Sequence, residues 1–119
     1  MTWLLNEIRR LKNTARWSYE GWASAWSREK SLRQWVGVNA LSIALSLVVE
    51  MTTAERALIY ALGILVLAAE LLNTAIEEVV DYISTEIDPR AKRAKDAGSA
   101  VVLLTALAGG VAWGVVLLG

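Results

Sequence analysis

Four polar side chains in an otherwise hydrocarbon-rich stretch are the residues of this sequence best placed to do chemistry. Ala54 to Ile83 carries, after Glu55 and Arg56, thirteen uncharged residues, Ala57 to Ala69. Glu70, Asn73, Glu77, Glu78 and Asp81 then appear, interleaved with Leu71, Leu72, Ala75, Ile76, Val79 and Val80. No Gly or Pro interrupts this second half, so the spacing predicts one continuous helix. At about 100° per residue, Glu70, Asn73, Glu77 and Asp81 fall within roughly 80° of one another, and Glu78 lies off that stripe. A helix leaving a membrane would carry solvated acids at its end, which suits Glu78 and Asp81. It suits Glu70 and Asn73 poorly, because apolar residues continue on both sides of them. An ionisable group in such a segment is expensive and marks a functional site by default.

The sequence has no histidine and no cysteine. This removes the common general base, the Ser-His-Asp triad, disulfides and the usual zinc sites. Acid–base work falls to carboxylates. Magnesium takes oxygen ligands, typically one or two carboxylates together with phosphate oxygens and water. Glu77 with Glu29 could supply such a pair. A third carboxylate, partly screened from water, could act as a base. Arg93 and Lys95 could hold phosphates, or simply anchor the chain at a membrane surface. No G-x-x-x-x-G-K-[ST] and no kinase-type Gly-rich loop is present, so a nucleotide site would be of another kind. Zero net charge offers no basis for nucleic-acid binding.

The elements that must position these groups are helices. A hydrophobic fraction of 55% with long apolar runs predicts an all-α integral membrane protein, one domain over its 119 residues. Residues 1–26 form an amphipathic surface helix, with Trp3, Leu4, Ile8, Leu11, Ala15, Tyr19, Trp22 and Trp26 on one face and Arg9, Lys12, Arg16 and Glu20 opposite. Five of the six tryptophans precede residue 36, as interfacial anchors would. Trp17 falls on the polar side. No signal peptide is expected, because the N-terminus lacks an apolar core and a small-residue cleavage site. Ser27 to Gln34 is expected to be a charged turn, in which Glu29 read alone is a solvated charge. Transmembrane helices are expected at about residues 32–49, 55–83 and 90–118, with cytoplasmic extensions. In the first of these, Asn39, Ser42 and Ser46 form a polar stripe suited to helix–helix hydrogen bonds. Thr52 or Thr53 would cap the central helix, and Asp88-Pro89 would open the last. Gly109, Gly110 and Gly114 suggest close helix packing.

Of the twelve basic residues, seven precede Trp35, four lie in Arg90 to Lys95, and only Arg56 lies elsewhere. The positive-inside rule then puts the N-terminus and the second loop in the cytoplasm and the C-terminus outside. Glu70 to Asp81, Glu29 and the Lys95-Asp96 region would meet at one cytoplasmic interface.

Glu70-Leu-Leu-Asn73-Thr-Ala-Ile-Glu77-Glu-Val-Val-Asp81, followed by Ala94-Lys95-Asp96-Ala-Gly-Ser99-Ala, closely resembles the bacterial integral-membrane diacylglycerol kinases. The resemblance extends to Gly21, Ala25-Trp26, Glu29, Arg33-Gln34 and Trp113, and covers essentially the whole chain. It implies a homotrimer with shared active sites in the bacterial inner membrane. It implies transfer of phosphate from MgATP to 1,2-diacylglycerol, giving phosphatidate. By matching position, Glu70 would be the catalytic base with Asn73 beside it, and Glu29 and Glu77 would hold Mg²⁺. Arg10, Trp17, Glu86, Asp88, Lys95 and Asp96 would join them around ATP. Arg10, Trp26, Ser31, Arg33, Gln34, Glu70, Ser99 and Trp113 would contact the lipid. Trp17 stands where the family usually has tyrosine, and an aromatic there can still stack on adenine; Asp88 falls in a variable loop. Two other functions compete. An undecaprenol kinase of the same fold shares these motifs. A small proton-coupled transporter would also carry a membrane carboxylate, but proteins of that kind usually have four spans and a mid-membrane acid.

Overall fold

A computed structural model describes residues 1–119 as four helices: α1 (Thr2–Arg28), α2 (Lys30–Val48), α3 (Thr53–Ile83) and α4 (Pro89–Leu118). The helix expected around the acidic stripe runs unbroken over 31 residues. Its start is set by a capping box. Thr52 Oγ1 accepts from Glu55 N at 3.1 Å, and Glu55 Oε1 accepts from Thr52 N at 2.8 Å. Two otherwise orphaned N–H groups are thereby satisfied, and Thr52, not Thr53, is the cap. At the other loop, Asp88 accepts from Arg90 N at 2.8 Å with Pro89 in the first turn of α4, as the Asp-Pro pair predicts.

The Ser27–Gln34 turn is not observed. α1 continues through Arg28, only Glu29 leaves helical geometry (φ −109°, ψ 105°), and α2 resumes at Lys30. Ser, Arg, Lys, Leu and Gln are all tolerated in helices, and without Gly or Pro a run of charges does not stop one. Glu29 is thus both the end of α1 and the start of α2. Its side chain makes no capping bond, so its carboxylate is left for other work.

α3 and α4 are long and apolar enough to cross a membrane. They pack along much of their length, with Ile59, Val66, Ala69, Gly98, Val102 and Ala112 buried. α2 lies against α3. Two of the three residues of the polar stripe on α2 bond to other helices as expected: Ser46 Oγ and Tyr60 OH are 2.7 Å apart, and Trp113 Nε1 donates to Ser42 Oγ at 2.8 Å, whereas Asn39 Nδ2 donates to the Trp35 carbonyl of its own helix at 3.0 Å. The Arg56 side chain donates to the carbonyl of Ser46. Asn39 sits against Gly63, where a Cβ would collide with its carboxamide oxygen. α1 touches the rest chiefly near its C-terminal end, where Ala25 is its one buried residue.

Only 10 of 119 residues are buried, and Leu103, Leu104, Leu107, Val111 and Val115 of α4 are open. An apolar surface this extensive requires lipid or other protein around it. The close packing expected at Gly109, Gly110 and Gly114 is not made within the chain, since a Cβ at any of them would meet nothing.

Candidate functional site

Glu70 is one of the ten buried residues, at 7% exposure, and the only charged one. Its position follows from the stripe: Ala69 and Glu70 turn inward where α2 and α4 flank α3. The indole of Trp35, on α2, faces its carboxylate. Glu29 and Glu77 are near enough for their charges to act on it. Three carboxylates predicted from separate parts of the sequence are therefore gathered, one from the α1–α2 break and two from successive turns of α3.

Asn73 lies between Glu70 and Glu77. Its Nδ2 donates to Glu77 Oε1 at 3.3 Å, while its Oδ1 is buried with no partner. An orphaned acceptor in a protein interior costs about 1–3 kcal/mol, so it calls for an explanation. α4 comes close here because residue 98 is glycine. A Cβ at Gly98 would stand 2.6 Å from Asn73 Oδ1 and 3.2 Å from Ile76 Cδ1.

Further along α3, Asp81 takes a 2.6 Å ion pair from Lys95, tying α3 to α4. Beyond it the α3–α4 loop frames a polar groove of about 320 Å³. Asp81, Glu86, Asp88, Lys92, Lys95 and Asp96 all line it, so four of the residues expected around a nucleotide share one cavity. Lys92 and Asp96 are paired at 2.6 Å. Hydrogen bonds from the Arg90 side chain, and then from its backbone, hold the Asp88 carboxyl below the ordinary aspartate range. Asp88 is committed to capping α4.

Other expected residues are not drawn into this cluster. Arg10 is exposed and paired with Glu7 at 2.7 Å on its own helix. Trp17 is exposed on α1, as are Ser31, Gln34 and Ser99 on their helices, and Arg93 is also exposed. Trp26 is exposed and stacks on Trp22 with ring centroids 6.2 Å apart. Arg33 donates to the carbonyl of Trp26 across the break at Glu29. Trp113 lies 17 residues past Asp96 on α4, or about 26 Å along the helix. It borders a separate apolar groove of about 490 Å³ that begins at Trp35 and is lined by α2, α3 and α4.

Sequence reasoning missed two features. Trp35 was legible only as the start of an apolar helix, not as the neighbour of Glu70. Arg28 and Glu78, 3.3 Å apart, join α1 to α3; the one signal was that each sits next to a singled-out carboxylate, Glu29 or Glu77.

No group of three or more acidic side chains closes tightly enough to hold a metal alone. The donor set still fits magnesium, which needs only one or two carboxylates when phosphate oxygens and water complete its shell. The unpartnered Asn73 Oδ1 adds a neutral oxygen to that environment.

Residues 16–117 match the family described as prokaryotic diacylglycerol kinase. The chain is 38% identical to the diacylglycerol kinase of Pseudomonas aeruginosa, over 94% of this chain and 91% of that one. It is 36% identical to the Haemophilus influenzae diacylglycerol kinase, covering 92% and 93% of the two chains. For the Escherichia coli K12 enzyme the identity is 33%, covering 91% and 88%. These likenesses place the chain in the prokaryotic diacylglycerol kinase family, and it is a lipid kinase.

Proposed function

We propose that the protein transfers the γ-phosphoryl group of MgATP to the free hydroxyl of 1,2-diacylglycerol at the inner face of the bacterial cytoplasmic membrane. The observation that carries this reading is the buried Glu70 with Asn73 Oδ1 unpartnered one turn away. Phosphoryl transfer asks little covalent chemistry of a protein beyond positioning and charge stabilisation. Glu70 orients the lipid hydroxyl and accepts its proton. The hydroxyl oxygen bonds to the γ-phosphorus as the bond to the bridging oxygen of ADP breaks, giving phosphatidate and ADP. Asn73 holds Glu77 through its amide and leaves its oxygen for the hydroxyl or for the metal shell. Glu29 and Glu77 would hold Mg²⁺, which neutralises phosphate charge when bound. Lys95 and Asp96, with Glu86 and Asp88, border the nucleotide in the polar groove.

This reading takes α2 as a third span and the functional unit as a homotrimer. The open apolar face of α4 and its uncontacted glycines support assembly with further copies. The test is a radiolabelled-ATP assay on purified protein in vesicles containing either diacylglycerol or undecaprenol. Preferential, magnesium-dependent labelling of diacylglycerol is expected. Preferential labelling of undecaprenol would overturn the substrate assignment, and ATP-independent proton uptake with no labelling would overturn the reaction.

A further inference from the structure

The break at Glu29 is a weak point in the architecture. One non-helical residue joins two helices, and rotation about it would swing the Glu29 carboxylate away from α3. Its side chain is not anchored by capping. Two polar contacts straddle this residue. On one side the Arg33 side chain reaches back to the carbonyl of Trp26, fixing α2 to α1. On the other, Arg28 Nη2 pairs with Glu78 Oε1 at 3.3 Å, and this is the one ion pair between α1 and α3.

We infer that Arg28 and Glu78 form a clasp that sets the position of Glu29 against Glu77 and Glu70. Arg28 immediately precedes Glu29 and Glu78 immediately follows Glu77. The ion pair therefore brings together the two stretches of backbone that carry the carboxylates in question. Glu78 is off the acidic stripe and takes no part in the cluster itself, which leaves it free for this task. Arg28 also lies in the last turn of α1, where a cation is favoured by the helix dipole. Both side chains are 57% exposed. An exposed pair contributes little to global stability, and its effect is on the orientation of the hinge. Arg28 and Glu78 are positioning residues, acting through Glu29. The inference rests on the assignment of Glu29 and Glu77 to MgATP, and its test has one arm that does not.

The test compares Arg28→Glu, Glu78→Arg and the double exchange Arg28→Glu/Glu78→Arg. Each single reversal should raise the MgATP concentration for half-maximal rate about 3- to 10-fold while changing kcat and the melting temperature little. The double exchange should return it to within about twofold of the parent. High salt should move the parent towards the single variants, because exposed pairs are screened. The second arm reads geometry without activity. Spin labels at Ser24 and Val79, both exposed, in a chain diluted into unlabelled protein should give a narrow distance distribution in the parent. Single reversals should broaden it and the exchange should narrow it again. Equal distributions in all four proteins, or an exchange no better than the worse single variant, overturn the clasp. A parent protein that labels no lipid, with the distances behaving as expected, would instead sink the kinase assignment of Glu29 and leave the clasp standing.

Discussion

Glu70 stands alone among the charged residues in being buried, which is the costliest place for a carboxylate unless it works there. Glu70→Gln keeps the volume and removes the base. It should fold and bind ATP but lose turnover by about 10²–10⁴-fold, the usual worth of a general base. Near-normal turnover in a lipid phosphorylation assay would assign the proton elsewhere. Glu29 and Glu77 make a different claim, since each is only half-buried and both approach Glu70. If they share one Mg²⁺, Glu29→Gln and Glu77→Gln should each raise the Mg²⁺ requirement. The double variant should be scarcely worse than the poorer single, because groups acting as a unit are not additive. Rate measured against Mg²⁺ at fixed ATP decides it, and multiplicative losses with unchanged Mg²⁺ dependence would separate the two residues.

At the scale of helices, the approach of α4 to α3 depends on one missing side chain. Gly98→Ala places a methyl group 2.6 Å from Asn73 Oδ1. Something must shift there, and the carboxamide is the more mobile neighbour. Alanine is the better helix former by about 1 kcal/mol, which offsets part of the steric cost. The expected result is a clear fall in turnover with a small change in thermal stability. A parallel loss of both would mean that the helices part, and unchanged turnover would mean that Asn73 is not needed where it lies. The expected Ser27–Gln34 turn failed at this scale too. Helix propensity does not distinguish a charged helix end from a charged turn, and only Glu29 leaves helical geometry.

For the whole molecule, the proposed reading puts the N-terminus and the α3–α4 loop on the cytoplasmic side, as the positive-inside rule predicts. The protein has no native cysteine, so one introduced at Gly119 is the sole target for a thiol reagent. An impermeant reagent should label it from outside only; labelling from the cytoplasmic side alone would reverse the topology. The same scale governs assembly. A Cβ at Gly110 meets nothing within the chain, so Gly110→Ala should leave the monomer fold intact and weaken association. In detergent, the parent should run at the mass of three chains and the variant should shift towards one. An unchanged mass would remove this face from the interface.

Much was determined by the sequence alone. The acidic stripe is a local property, fixed by the 3.6-residue period, and it appears on α3 as predicted. The Asp88-Pro89 start of α4 and the capping at Thr52 are likewise short-range chemistry between neighbours. The motif from Glu70 to Asp81, together with Ala94 to Ala100, pointed to the family, and the match over residues 16–117 bears it out. What only the tertiary structure decided are the meetings between distant residues: Trp35 against Glu70, Gly98 against Asn73, Arg28 with Glu78, and Lys95 with Asp81. No periodicity encodes these, since each depends on the rotation and height at which two helices pack. Read alone in the sequence, Glu29 is a solvated charge, and its approach to Glu70 is seen only in the tertiary structure, at the one-residue break between α1 and α2.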